Sequence, residues 1–142
     1  MSPTGVAEAF ERAPLLAERV GEGGDPAAIV ARARSVLETM SVSERIAVLD
    51  AHPRIGATSG LSERSAAEQG GAADRETLRA LELLNAEYER TFGFRFVVFV
   101  HGRSRAEVVP ILQARLRRAR HEELATGIDE FLAIARDRLE RG

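Results

Sequence analysis

Apolar residues recur along the chain at helical spacing between short polar stretches, a pattern that predicts a string of amphipathic helices. Val6 to Val20 reads as the first, interrupted at Pro14, whose ring and missing N–H kink or split a helix. Asp25-Pro26 makes a good helix start, with the aspartate as cap and the proline in the first turn. Ile29, Ala33, Val36, Leu37 and Met40 then fall at helical spacing. Ser41 with Glu44 is a capping-box pattern before a short helix carrying Ile46 and Leu49. A polar, irregular stretch follows from His52 to Leu61. Ser62 to Gln69 reads as a short helix stopped by Gly70-Gly71. Asp74 caps a longer one with Leu78, Leu81, Leu84 and Tyr88 on one face.

Phe92 to Val100 is aromatic and β-branched, which locally favours strand. It has no obvious partner strand, and a lone strand cannot satisfy its backbone groups. It is therefore expected as an extended buried segment between helices. Ser104 and Glu107 form a second capping box, ahead of Val108, Ile111, Leu112 and Leu116. Pro110 is expected to delay or kink that helix. The last helix carries Leu124, Ile128, Phe131, Leu132, Ala135 and Leu139. With no internal repeat and no long linker, the expected fold is all-α: a single compact multi-helix domain over residues 1–142, with a short extended segment near residues 94–100.

Composition changes this picture only by exclusion. At 142 residues and 44% hydrophobic content, the chain has enough apolar side chains for one core. A net charge of −2 gives no strong field for nucleic acid or anionic membrane. The longest apolar run, Phe96 to Val100, is far too short to span a bilayer, and no targeting signal is visible at Met1 to Phe10. No cysteine occurs, so thiol nucleophiles and thiolate metal sites are excluded, and a reducing compartment fits. All 20 basic residues are arginine. Without lysine, no side-chain Schiff base can form and pyridoxal phosphate has no anchor.

The candidate chemistry gathers at a few positions. His52, before Pro53, sits where a helix stops, and from there a side chain can enter a cleft. It can serve as general acid or base, or simply cap the carbonyls of the preceding helix. His101 and His121 read as surface residues, and no histidine pair has metal-ligand spacing. On a helix, Ser65, Glu68 and Gln69 share a face, where they suit a ligand rich in N–H and C=O groups or form an ordinary solvated face. Asn85 lies on an apolar face and needs a partner, for which backbone is the expected choice. Arg95 interrupts an apolar segment; its guanidinium can fork onto a substrate carboxylate or extend to solvent. The basic run Arg115 to Arg120 reads as a polar helix face.

In order, these elements resemble one family. Ala51-His52-Pro53-Arg54-Ile55-Gly56 resembles the His-Pro-x-Leu-Gly element of the 2-oxo-4-hydroxy-4-carboxy-5-ureidoimidazoline (OHCU) decarboxylases. Ser65-Ala66-Ala67-Glu68-Gln69 resembles their Ser-x-x-Glu-Gln element. Leu84-Asn85-Ala86-Glu87-Tyr88 followed by Phe92-Gly93-Phe94-Arg95-Phe96 is similar to Leu-Asn-x-x-Tyr and Phe-Gly-Phe-Pro-Phe. Phe10-Glu11-Arg12-Ala13-Pro14 and Ile134-Ala135-Arg136-Asp137-Arg138-Leu139 extend the similarity over nearly the whole chain. Arg95 stands where the family usually has proline, and Arg118 stands near a common asparagine.

The resemblance implies a cofactor-independent, metal-free, cytoplasmic homodimer that turns a ureidoimidazoline into (S)-allantoin and carbon dioxide during urate breakdown. It implies His52 and Glu68 as catalytic residues. It implies Pro53, Ser65, Gln69 and the segment Phe94, Arg95, Phe96, Val97 and Val98 as substrate-binding. Such a substrate is its own electron sink, because the carbon losing carboxylate is flanked by ring C=O and C=N groups, so lysine is not needed. Two alternatives stand beside it: a related ureide-processing enzyme on the same scaffold, and a non-catalytic helical interaction module in which His52 is dispensable.

Overall fold

The computed structural model describes residues 5–10, 13–55 and 75–141. They form α1 (Val6–Ala9), α2 (Pro14–Val20), α3 (Pro26–Thr39), α4 (Val42–Ala51), α5 (Arg75–Phe92), α6 (Arg105–Arg115) and α7 (Arg120–Arg141), with no strand among the described residues. The all-α expectation therefore holds. Helices start where side chains replace missing intrahelical bonds. Asp25 accepts the Ala28 N–H at 2.8 Å, and Pro26 occupies the first turn of α3. Ser41 with Glu44 and Ser104 with Glu107 both close complete capping boxes. Pro14 begins α2, so the first apolar stretch is split. Pro110 lies inside α6 and does not delay its start at Arg105. The expected helix over Ser62 to Gln69 and the Asp74 cap lie outside the described residues.

The long α7 packs against α1, α3 and α4, and α5 packs against α6. Leu37 of α3, Leu49 of α4 and Phe10 after α1 are buried around Phe131, Leu132 and Ala135 of α7. Gly127 allows the close approach of α4: a Cβ there would lie 3.0 Å from Leu49 Cδ1. Residues 95–100 form neither helix nor strand. Their side chains form the core instead, with Phe94, Phe96, Val97, Val98 and Val100 all buried.

The basic run differs from expectation. It straddles the α6–α7 turn, and Arg115 is buried rather than solvated. Arg115 Nε donates to Glu123 Oε1 at 2.7 Å, Tyr88 Oη to the same oxygen at 2.6 Å, and Arg118 Nη1 to Glu123 Oε2 at 2.8 Å. Glu123 is wholly buried, and a buried carboxylate is tolerable only when paired and hydrogen-bonded. Glycine 127, Phe131 and Glu123 share one helical stripe, so the acid enters the core on the same face as the apolar contacts.

Candidate active site

His52 follows the last residue of α4. Its N–H donates to Leu49 O at 3.1 Å, and its backbone is extended (φ −74°, ψ 137°), the geometry that a following proline demands. Its side chain is turned inward, 7% exposed, with its ring edge-on to Phe131 of α7 at 6.4 Å. Pro53 and Ile55 are buried beside it. The backbone here is held from α5: Asn85 Nδ2 donates to Ile55 O at 3.0 Å, the backbone role expected for that buried amide. Arg54 makes two bonds to Glu89, at 2.6 and 2.8 Å, and this pairing raises the guanidinium pKa above its ordinary value.

The second element begins at Gly93. Its φ of 83° ends α5 in the left-handed conformation that glycine adopts without penalty, and its N–H returns to Glu89 O at 2.8 Å. Arg120 Nε caps Phe92 O at 2.8 Å. Beyond the turn, backbone groups are tied down one by one. The Arg95 N–H donates to Asp50 Oδ1 at 3.0 Å, Val97 O accepts from Arg115 Nη1 at 2.7 Å, and the Phe99 N–H donates to Glu130 Oε1 at 3.3 Å. Arg115 also stacks over Phe96, 4.5 Å from the ring centroid. With the side chains of Phe94, Phe96, Val97 and Val98 buried, these residues can offer a ligand little but their main chain. Among the described residues, the N–H groups of Phe96, Val97 and Val98 have no hydrogen-bond partner.

The two elements meet. Arg95 Nη1 donates to His52 O at 3.1 Å. Asp50, Arg54, Glu89, Gly93, Phe94 and Arg95 line a polar cleft of about 270 Å³ at this junction. A larger cleft of about 390 Å³ lies at the other end of α4, walled by Leu37, Val42, Leu124 and Ile128 and far from His52 in the helix. Ser65, Glu68 and Gln69 lie outside the described residues. His101 and His121 are exposed, and no group of three His, Asp or Glu side chains is placed to hold a metal among the described residues. No described helix is long and apolar enough to cross a membrane.

One buried cation did not stand out as a candidate on sequence. Arg138 is 2% exposed, and its Nη1 donates to Ala9 O at 3.3 Å. It follows Ile128, Phe131 and Ala135 at helical spacing, so periodicity alone places it on the inward face of α7, the face that carries the Phe131 ring to His52.

A family model described as OHCU decarboxylase matches residues 4–140. The 2-oxo-4-hydroxy-4-carboxy-5-ureidoimidazoline decarboxylase of Haloferax volcanii is 29% identical over 140 residues, covering 93% of this chain and 83% of that protein. The uric acid degradation bifunctional protein of Bacillus subtilis is 28% identical over 137 residues, covering 92% of this chain but only 28% of its own length. A crystal structure of an OHCU decarboxylase in the presence of (S)-allantoin superposes with a TM-score of 0.76 at 22% identity, covering 94% of each chain, and so shares the fold.

Proposed function

We infer that this chain, which belongs to the OHCU decarboxylase family, is a carboxy-lyase of urate degradation that converts 2-oxo-4-hydroxy-4-carboxy-5-ureidoimidazoline to (S)-allantoin and carbon dioxide. The bond from the ring carbon to its carboxylate breaks, and the electron pair passes into the adjacent C=N. A proton arriving at the ureido-bearing carbon, with the hydroxyl becoming C=O, completes allantoin. One proton is consumed overall. Delivery to a single face makes one enantiomer.

In this reading His52 is the general acid and base, and Glu68 holds the ureido N–H groups or orients the imidazole. Pro53, Ser65, Gln69 and the segment Phe94, Arg95, Phe96, Val97 and Val98 form the binding surface, the last through backbone groups. The carrying observation is the junction of His52 with that segment. A histidine turned inward at a helix end is joined through Arg95 to a segment with consecutive unpaired N–H groups, which suit the carbonyl oxygens of a ureide. No cofactor is required, because the substrate accepts its own electron pair. Homodimeric assembly in the cytoplasm belongs to the same reading, and sedimentation equilibrium tests the assembly.

The activity test makes the unstable substrate from urate with urate oxidase and hydroxyisourate hydrolase, then follows circular dichroism. The protein accelerates (S)-allantoin formation over the spontaneous racemic decay; no acceleration ends the proposal. His52→Asn lowers kcat by about 100-fold or more, the usual share of a general acid or base. Equal activity in that variant discards the mechanism and leaves the reaction standing.

A further inference from the structure

We propose that Arg95 and Asp50 form a clamp that positions His52, so that the Arg95 side chain serves the reaction through the histidine rather than by touching substrate. The inference rests on the catalytic role proposed for His52. Its observations are two bonds made by one residue. The Arg95 N–H donates to Asp50 Oδ1 at 3.0 Å, and its guanidinium donates to His52 O at 3.1 Å. The two acceptors lie two residues apart at the end of α4, while the donor belongs to the segment after α5, 43 and 45 residues away.

The last carbonyls of a helix lack intrahelical donors and carry the negative end of its dipole. A cation that satisfies one of them is favoured on both counts. At His52 the consequence is local. Its N–H is already committed to Leu49 O, so the Arg95 bond leaves both backbone polar groups of the histidine fixed. Pro53 restricts the remaining freedom of that peptide. The direction in which the imidazole leaves the backbone is then set by the segment that carries the unpaired N–H groups. One residue thus sets the separation of the proposed acid–base group from the proposed binding surface.

Proline, the residue that the resemblance places at this position, has neither an N–H nor a cation. The clamp is accordingly a device of this chain, and Asp50 takes the N–H that the replacement of proline adds. Placement errors of an ångström are expensive in catalysis, and the loss falls on turnover when binding contacts are untouched.

The experiment measures kcat and KM of Arg95→Ala, Arg95→Met, Arg95→Lys and Asp50→Ala in the coupled circular dichroism assay. Alongside, it follows the His52 imidazole resonance, one of three in the chain. Arg95→Ala is expected to lower kcat roughly tenfold with KM within about twofold, and to shift or broaden the His52 signal. Arg95→Met preserves the apolar stem and gives the same result should the alanine variant fail to fold. Arg95→Lys, which restores a cationic donor, recovers part of kcat. Asp50→Ala moves kcat in the same direction by a smaller factor. Unchanged kcat and an unchanged His52 signal in a folded Arg95 variant overturn the clamp. A raised KM at unchanged kcat also overturns it, and assigns Arg95 to the substrate carboxylate. If the wild type has no activity, the proposed reaction fails, and the His52 resonance still decides whether Arg95 fixes the histidine.

Discussion

Replacing Glu123 by alanine isolates the energetics of the polar cluster that holds the segment around Val97. The carboxylate is fully buried and receives Arg115, Arg118 and Tyr88 at 2.6–2.8 Å. Arg118 is partly exposed and can be rehydrated, but the Arg115 side chain is only 8% exposed and remains in the core. Leaving one member of a buried pair uncompensated costs about 3–5 kcal/mol. The whole fold has roughly 5–15 kcal/mol in hand, so Glu123→Ala is expected to remove a large share of it. Urea denaturation followed by far-ultraviolet circular dichroism reads the loss. Glu140→Ala is the matched control, because its pair with Arg136 has both side chains more than half exposed and is worth about 0–1 kcal/mol. A Glu123→Ala loss no larger than that of the control would refute the reasoning. Water would then be reaching Arg115, or the ion pair would contribute nothing net.

Two further predictions concern the same packing. Burial, and after it the bond to Glu123, hold the Tyr88 phenol well above its ordinary 10.0. The folded state therefore keeps a proton that the unfolded state releases; this contribution is intact below pH 10.0 and is lost as pH rises through the folded value. Tyr88 is the only tyrosine and no tryptophan occurs, so phenolate absorbance in native and urea-unfolded protein measures the difference directly; coincident titrations contradict it. Gly127→Ala would ordinarily gain about 1 kcal/mol in a helix interior. Here the new methyl meets buried Leu49, and overpacking costs about 1–3 kcal/mol, so a net loss near 1 kcal/mol is expected in thermal unfolding. A stabilised variant would mean that Leu49 moves aside.

What could be read from the sequence was local. Both capping boxes, the Asp25 start and the break at Pro14 depend on residues within one turn of each other, and each stands where its spacing placed it. His52 could be placed at a helix end because Pro53 excludes helical geometry from the residue before it. The inward turn of its ring needed Phe131, which is remote in sequence. Arg115 was misread for the same reason. Within its own run it is one arginine among several, and only Glu123 and Tyr88, brought from neighbouring helices, make it a core residue. Arg95 had two sequence readings, a fork onto substrate or a side chain in solvent. Neither anticipated its bond to a backbone carbonyl 43 residues away. Arg138 was accessible to periodicity, since it continues the stripe of Ile128, Phe131 and Ala135.

The placement of α7 bears on how the molecule comes to be made. Phe131 stacks on Phe10 at 5.9 Å, Gly127 admits Leu49, and Arg138 donates to Ala9 O across 129 residues. In a chain emerging from the ribosome, Phe10 and Leu49 cannot reach these partners until α7 has been synthesised. Such distant closures slow folding, because the entropy of joining the ends is lost before the contacts reward it. Until α7 has been made, the surfaces of α1, α3 and α4 that face it are therefore open to chaperones. The wall against which His52 rests is completed only when Phe131 arrives, so the surroundings of that histidine lack their native shape until α7 has been made.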